Sequence, residues 1–358
     1  LLVLLLAETG ALVVGYRTGH LPHLSSFQDR MRYWQAAMRV FQQWPWLGVG
    51  PGQFRFFYLR FKAPGAMEAR HAHSLFFETL AEKGIWGTLV FFSLMALLLW
   101  KLVPFSGREI TLEESLGLGF LAGWLHFLVD VSFIDEAVSS LFFLLAGWAL
   151  SRKKGCPFPG RKGLTTITKR LTPAISYLII LIVVSAGILR IRINQAITYL
   201  DRADKVRYLN ERLEWLRKAR QLYPLSEFFV QEGDGYMMAA NITGDGSWLV
   251  RAEEAYRMAL ARNQFSAIPY RKLALLYAQE KRWRKAEQMY LKCLENYPTK
   301  KQYVLELASL YRHTGQMEKY QHYLALALAL PAVTKEEDDY TRRLLDGQDR
   351  SDRNAAGR

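Results

Sequence analysis

The residues best suited to chemistry lie in one polar loop, residues 17–84, which precedes a strongly apolar run. The loop contains two candidate arginines, Arg30 and Arg70, and two histidines, His71 and His73. Arginine is a permanently charged, bidentate donor that suits phosphate groups. Histidine is the side chain whose pKa suits proton transfer near neutral pH. These residues therefore predict a site at a membrane surface that binds an anionic group and moves a proton.

Each of these residues also has a simpler explanation. Arg30 could anchor the loop to anionic lipid headgroups, which is the role expected of Arg55 and Arg60. His73 could be a core residue or part of a helix cap, and His71 could be only a neighbour of the catalytic group. Side-chain type alone therefore leaves both interpretations open.

The composition divides the chain into two parts. Residues 1–190 carry nearly all the long apolar runs, and residues 191–358 are charged and amphipathic. The formal net charge of +14 is spread along the chain and lies largely beside apolar runs, where Lys and Arg set topology or meet anionic lipid. We expect no nucleic-acid partner. The only two cysteines, Cys156 and Cys293, are far apart, so neither a disulfide framework nor a metal site is predicted.

The apolar runs predict an all-α, polytopic transmembrane helical bundle. Residues 1–16 are interpreted as the end of a transmembrane helix, and the chain as the C-terminal portion of a longer protein. Residues 85–150 are predicted to hold further transmembrane helices, the first from Ile85 to Val103. Two shorter spans follow, folded at Asp130–Glu136, whose acidic residues mark an aqueous turn rather than an intramembrane site.

Charge sets the predicted orientation. Residues 151–172 contain seven Lys and Arg residues and no acidic residue, which indicates a cytoplasmic loop. Residues 173–190 are predicted to be the next span. The loop of residues 17–84, and everything after residue 190, should then lie on the periplasmic side of a bacterial inner membrane.

The C-terminal part repeats with a period of 34 residues, as Leu260 and Leu294 illustrate. Small and aromatic residues at fixed helical positions with this period indicate tetratricopeptide repeats, here over residues 195–335. A glycine-rich insertion is expected at Gly233–Gly246. Such repeats stack into an α-solenoid that binds a protein partner. Residues 336–358 are charged and predicted to be a disordered tail.

Within the polar loop, an amphipathic helix is predicted over Arg30–Trp44, ending before Pro45. The glycines of Gly48–Gly52 should shape a tight turn rather than a nucleotide-binding loop, since no Lys-Ser/Thr follows them. Ser74 is predicted to cap a helix that runs to Gly84. The apolar stripe of the first helix consists of Met31, Trp34, Met38 and Phe41.

The order of motifs resembles the C-terminal core of the O-antigen ligase and O-antigen polymerase family. The motifs are R-x-x-Y-W from Arg30, then P-W-L-G-V-G-P-G-Q-F, then H-x-H-S and L-A-E-K-G-I-W-G before a span. The resemblance covers residues 1–150, and the tetratricopeptide region corresponds to a module appended in some members. It implies an integral membrane glycosyltransferase that acts on undecaprenyl-pyrophosphate-linked glycans without a metal or other cofactor.

The resemblance also implies roles for individual residues. His73 stands where the family has a His-Asn pair, with Ser74 in place of Asn, and would act as the catalytic base on the acceptor. Arg30 and Arg70 would bind the substrate pyrophosphate. Supporting roles are assigned to His71, Arg17 and Glu82.

One departure from the family leaves two functions open. The family's Ser-Arg-Gly is replaced by Glu8-Thr9-Gly10, so one phosphate-binding arginine is missing there. Arg17 or Arg70 could substitute for it, or the protein could be catalytically altered. The expected function is glycan transfer to a lipid, glycan or protein acceptor on the periplasmic face. The alternative is a non-catalytic membrane scaffold or solute transporter with a periplasmic tetratricopeptide interaction domain.

Overall fold

The residues that the protein's computed structural model describes are mostly helical and contain no strand. Three predicted features lie outside those residues: the end of a transmembrane helix at residues 1–16, Arg17, and most of the tail. The structure describes residues 22–102, 112–128, 136–152, 165–206, 208–335, 337–339 and 341–342.

The chain divides into two compact units. The first contains the described residues within 1–154, 297–302 and 328–358, and the second contains those within 155–296 and 303–327. The helices of the N-terminal part are α1 (Pro22–Gln43), α2 (Phe54–Phe61), α3 (Leu75–Leu102), α4 (Leu112–Phe127) and α5 (Glu136–Arg152).

Helix α3 contains a polar first part and an apolar second part, separated by a bend at Gly84, where φ is 62° and ψ is −167°. Among the described residues, α3 is the one helix long and apolar enough to cross a membrane. The apolar helices α4 and α5 are shorter and pack with α3 around Phe120, Trp124 and Phe142. The additional spans expected from the sequence remain predictions.

Two tryptophans mark the start of the apolar part of α3. The rings of Trp46 and Trp86 stack with their centroids 6.4 Å apart, and both side chains are exposed. Exposed tryptophans at the end of an apolar helix are typical of a membrane interface.

Helix α1 buries a different face from the one predicted. Tyr33, Ala36, Ala37 and Val40 are buried, whereas Met31 of the predicted stripe is exposed. Alanine side chains are short, so neighbouring elements can approach the backbone of α1 closely along this face. Trp34 of the predicted stripe contacts α3, because its ring stacks on the Phe77 ring with 5.1 Å between centroids. As predicted, the helix ends before Pro45.

Helix pairs with a regular period follow in the C-terminal part. Ala267 and Lys301 begin successive first helices, and Trp283 and Met317 begin their partners, each pair of positions being 34 residues apart. The sequence period is therefore also the period of the helices. The helices are α6 (Thr165–Lys205), α7 (Leu209–Leu222), α8 (Ser226–Thr243), α9 (Ser247–Arg262), α10 (Ala267–Gln279), α11 (Trp283–Asn296), α12 (Lys301–His313) and α13 (Met317–Ala329).

The glycine-rich insertion expected at Gly233–Gly246 is mostly helical, because α8 continues to Thr243. Gly233 is needed for packing rather than for a turn. A Cβ at this position would lie 2.4 Å from the Tyr256 ring, whose hydroxyl donates a hydrogen bond to Asp234 (2.7 Å).

We expect Gly233→Ala to destabilise the second unit by about 1–3 kcal/mol, the usual cost of overpacking a well-packed contact. Gly246→Ala is the matched control, since a Cβ there meets no atom within 4 Å. Thermal unfolding of the purified protein measures the difference. Equal melting temperatures for the two variants would contradict the packing role of Gly233.

Candidate functional site

The glycine-rich turn of the polar loop is bound to the bend in α3. The Gly50 N–H donates a hydrogen bond to the Glu82 carbonyl (2.9 Å), and the Ile85 N–H donates to the Pro45 carbonyl (2.8 Å). These bonds satisfy backbone groups of α3 that the bend removes from the helix. The glycine-rich turn and the bend in α3 are therefore joined by backbone hydrogen bonds.

Two glycines allow this close approach. Gly48 and Gly84 both have positive φ, 68° and 62°. A Cβ on Gly48 would lie 2.3 Å from the backbone of Glu82, and a Cβ on Gly84 would lie 2.5 Å from the backbone of Trp46. Only glycine combines this backbone conformation with the absence of a Cβ.

Gly84→Ala should therefore destabilise the polar loop. The left-handed backbone alone costs a residue with a side chain about 1–3 kcal/mol, and the contact with the Trp46 backbone adds to this cost. Gly119→Ala on α4 is the control, because its Cβ would meet nothing within 4 Å. Thermal unfolding in detergent and the amount of protein in membranes are the measurements. Indistinguishable values for the two variants would show that the close approach is not required.

Glu82 has a structural partner on another helix. Its side chain is buried and accepts a hydrogen bond from the Phe54 N–H (3.0 Å) at the first residue of α2. A carboxylate at a helix N-terminus satisfies an N–H group that has no partner within the helix. Glu82 thus positions α2 against α3.

His73 lies between the loop and α3, in a backbone conformation that is uncommon for a residue with a side chain. Its φ is 51°, and its ring lies 5.5 Å from the Tyr33 ring of α1, between centroids. The next residue forms the predicted cap: the Ser74 hydroxyl accepts a hydrogen bond from the Phe77 N–H (3.4 Å) and donates one to the Leu128 carbonyl (2.6 Å). The imidazole is therefore held at the start of α3.

Tyr33 is the residue of α1 whose ring lies near His73. Arg30 precedes Tyr33 by three residues on α1, and side chains at this spacing lie on the same side of a helix. Arg30 is therefore one helical turn from the residue that contacts the His73 ring. Arg70 is exposed in the segment before α3.

His71 contacts a carboxylate that sequence reasoning did not single out. Its Nδ1 lies 2.7 Å from Glu78 Oε1, and the Ala72 N–H donates to Glu78 Oε2 (2.6 Å). Glu78 lies in the first turn of α3 and is 6% exposed. The hydrogen bond to Glu78 raises the pKa of His71, and burial of the ring opposes this effect. The sequence signal that could have revealed this contact was the predicted cap at Ser74. A helix that begins there has Glu78 in its first turn, next to the segment that contains His71.

The segment that leads to Arg70 is held by two buried residues. The ammonium group of Lys62 donates to the Ala66 carbonyl (2.5 Å), and the Tyr58 hydroxyl donates to the Met67 carbonyl (2.6 Å). Burial lowers the pKa of Lys62. These contacts give the loop a defined course before the histidines.

The arrangement can bind an anion and transfer a proton, since cationic and imidazole side chains share a short, constrained segment. In the part of the chain that the structure describes, no group of three or more His, Cys, Asp or Glu side chains is arranged to hold a metal ion.

Comparison with known proteins gives a match to the part of the chain that contains the candidate site. Residues 5–92 match the family model described as O-antigen ligase. The matched segment includes α1, α2 and the bend of α3, and so contains every candidate residue described above. It supports an O-antigen ligase-like function at the level of the family. A search of curated proteins found no match.

Two solved structures, titled "Crystal structure of MamA" and "Crystal structure of MamA protein", show weak similarity to this chain. The first is 21% identical with a TM-score of 0.33, and the similarity covers 43% of this chain and 81% of that one. The second is 20% identical with a TM-score of 0.32, covering 45% and 78% of the two chains.

Proposed function

We propose that this protein is an O-antigen ligase-like membrane glycosyltransferase that moves a glycan from undecaprenyl pyrophosphate to an acceptor. The observation that carries the proposal is that the segment matching the family contains both Arg30 and His73, and that the His73 ring lies 5.5 Å from the ring of Tyr33, three residues after Arg30 on α1. This segment leads directly into the helix that could cross a membrane, so its polar groups adjoin the position of a lipid headgroup.

In the proposed reaction, an acceptor hydroxyl attacks the sugar carbon that is bonded to pyrophosphate. His73 takes the hydroxyl proton, the new bond from oxygen to carbon forms, and the bond to the pyrophosphate oxygen breaks. The electron pair leaves with the lipid-linked pyrophosphate, whose charge Arg30 and Arg70 stabilise. The arginines supply the positive charge, so the reaction as proposed requires no metal.

We further propose that the loop and the C-terminal helix pairs lie in the periplasm of a bacterial cell. The segment of residues 151–172 joins these two parts of the chain. Its seven basic residues support a cytoplasmic position for that segment. The helix pairs with their 34-residue period support a tetratricopeptide-type solenoid that recruits the acceptor or another assembly protein.

The proposal is tested by deleting the gene and profiling lipid-linked and surface glycans. Accumulation of undecaprenyl-pyrophosphate-linked glycan, reversed by the wild-type gene, is the expected result. Accumulated polymer would indicate a ligase, and accumulated single units would indicate a polymerase. A wild-type glycan profile in the deletion strain would contradict the proposal.

The replacement of Ser-Arg-Gly by Glu8-Thr9-Gly10 supports a second candidate, a non-catalytic membrane scaffold. A scaffold needs the fold of the loop but no particular side chain at position 73. Substitutions that preserve the fold and remove the imidazole separate the two candidates.

A further inference from the structure

The carboxylate of the His71–Glu78 pair is more buried and more fully bonded than that of a typical surface ion pair. Glu78 is almost fully buried and accepts two hydrogen bonds, from the His71 ring and from the Ala72 N–H, at 2.7 and 2.6 Å. Surface pairs are usually exposed and loosely held. Here the carboxylate fixes both the imidazole and the backbone that leads to His73.

The fixed orientation determines which ring nitrogen can meet a ligand. Glu78 uses Nδ1 of His71, which leaves Nε2 as the other donor when the ring is protonated. The His71 side chain is 39% exposed, so a ligand can reach it. Arg70 precedes it and His73 follows two residues later, which places the imidazole among the residues proposed to meet the substrate.

We propose that His71 is a further catalytic residue, whose imidazolium donates a hydrogen bond from Nε2 to the departing pyrophosphate. Glu78 is the positioning residue that holds this imidazolium. The inference deepens the proposed function and rests on it. As the bond from sugar to pyrophosphate breaks, the leaving oxygen keeps the electron pair and gains negative charge, which the imidazolium stabilises. The acceptor proton still passes to His73.

The charges around His71 agree with a protonated ring. The hydrogen bond and charge of Glu78, and the charge of Glu82, raise the pKa of His71, while burial and Arg70 lower it. The net shift is upward, so the cation is present at low pH and is lost as the pH rises through the raised pKa. Transfer should therefore decline on the alkaline side.

The decisive experiment compares His71→Gln with His71→Arg in the intact protein, assayed for transfer in membranes. Loss of a hydrogen bond from a charged donor should lower the rate of His71→Gln by about 10- to 100-fold. His71→Arg keeps a cationic donor, so it should stay within a few-fold of wild type and lose the alkaline decline. An Arg variant as inactive as the Gln variant, or a Gln variant as active as wild type, would overturn the proposal.

Glu78→Gln tests the positioning role through the pH profile. Without the carboxylate the pKa of His71 falls, so the alkaline decline should move to lower pH. A purely structural role would reduce the rate equally at every pH and leave the profile in place. Rates are normalised to folded protein by thermal unfolding, and His313→Gln on α12 is the control.

The same assay separates this inference from the function on which it rests. A wild-type protein that is folded but transfers no glycan would refute the proposed function itself. Active wild-type protein with unaffected His71 and Glu78 variants would refute the inference alone.

Discussion

Removing the imidazole at position 73 is expected to lower glycan transfer by about 100- to 10,000-fold, the range typical of a lost general base. Two variants are needed because His73 has a φ of 51°, so that His73→Ala changes both the side chain and the fit to this backbone. Asparagine tolerates the left-handed region better than most residues. His73→Asn therefore isolates the chemical contribution of the imidazole. Rates in isolated membranes, per folded molecule, are the measurement.

The control for His73 is His313→Ala on α12, which should transfer glycan at the wild-type rate. If His73→Asn is stable and fully active, then His73 is not the base, and the scaffold interpretation of the loop gains support. If His73→Ala unfolds while His73→Asn is stable and inactive, the catalytic role stands.

Arg30→Gln is expected to produce the second large effect, a fall in kcat/KM for the lipid-linked donor of about 10- to 100-fold. A hydrogen bond to a charged group typically contributes about 1.5–3 kcal/mol, and Gln removes the charge while keeping a polar, though shorter, side chain. Arg30→Lys should recover only part of the loss, because an ammonium group cannot form the planar two-bond contact. Initial rates at varied donor concentration measure the effect.

Arg55→Gln is the matched control for Arg30. Arg55 lies on α2 with its guanidinium 4.5 Å from the centre of the Phe56 ring, and its expected role is anchoring at the membrane surface. Equal losses for the two variants would mean that Arg30 is also only an anchor. A loss confined to Arg30 supports its contact with pyrophosphate.

Local signals in the sequence predicted the end of α1 and the start of α3, whereas α1 begins at Pro22 rather than at the predicted Arg30. The end of α1 before Pro45 follows from the restriction that proline places on the preceding residues. The start of α3 after Ser74 follows from the capping hydroxyl, which accepts the Phe77 N–H as expected. Both signals act within a few residues, so no knowledge of tertiary contacts is needed to use them.

Tertiary contacts were not predictable in the same way. The stripe of large residues on α1 was a reasonable choice for a buried face, yet Ala36 and Ala37 on another face are the residues that the fold buries. Likewise, Gly233 looked like part of a loop because its role depends on Tyr256, which is 23 positions away. A single sequence does not show which small residue accommodates a distant ring.

The pairing of His71 with Glu78 could be predicted from the sequence only in part. The two residues are seven positions apart, and the cap at Ser74 lies between them. The turn that joins them depends on the left-handed backbone at His73, which the sequence pattern does not predict for a residue with a side chain. The sequence therefore indicated which residues could carry out chemistry, but not how they are arranged.

The most direct test uses membranes of the deletion strain, which should hold both the accumulated donor and the natural acceptor. Adding the purified, intact protein should convert lipid-linked glycan to acceptor-linked glycan, with one undecaprenyl pyrophosphate released for each glycan transferred. Mass spectrometry of both lipids measures this, with His73→Asn as the inactive control. If folded wild-type protein leaves the lipid-linked donor unchanged, the protein is not the glycosyltransferase proposed above.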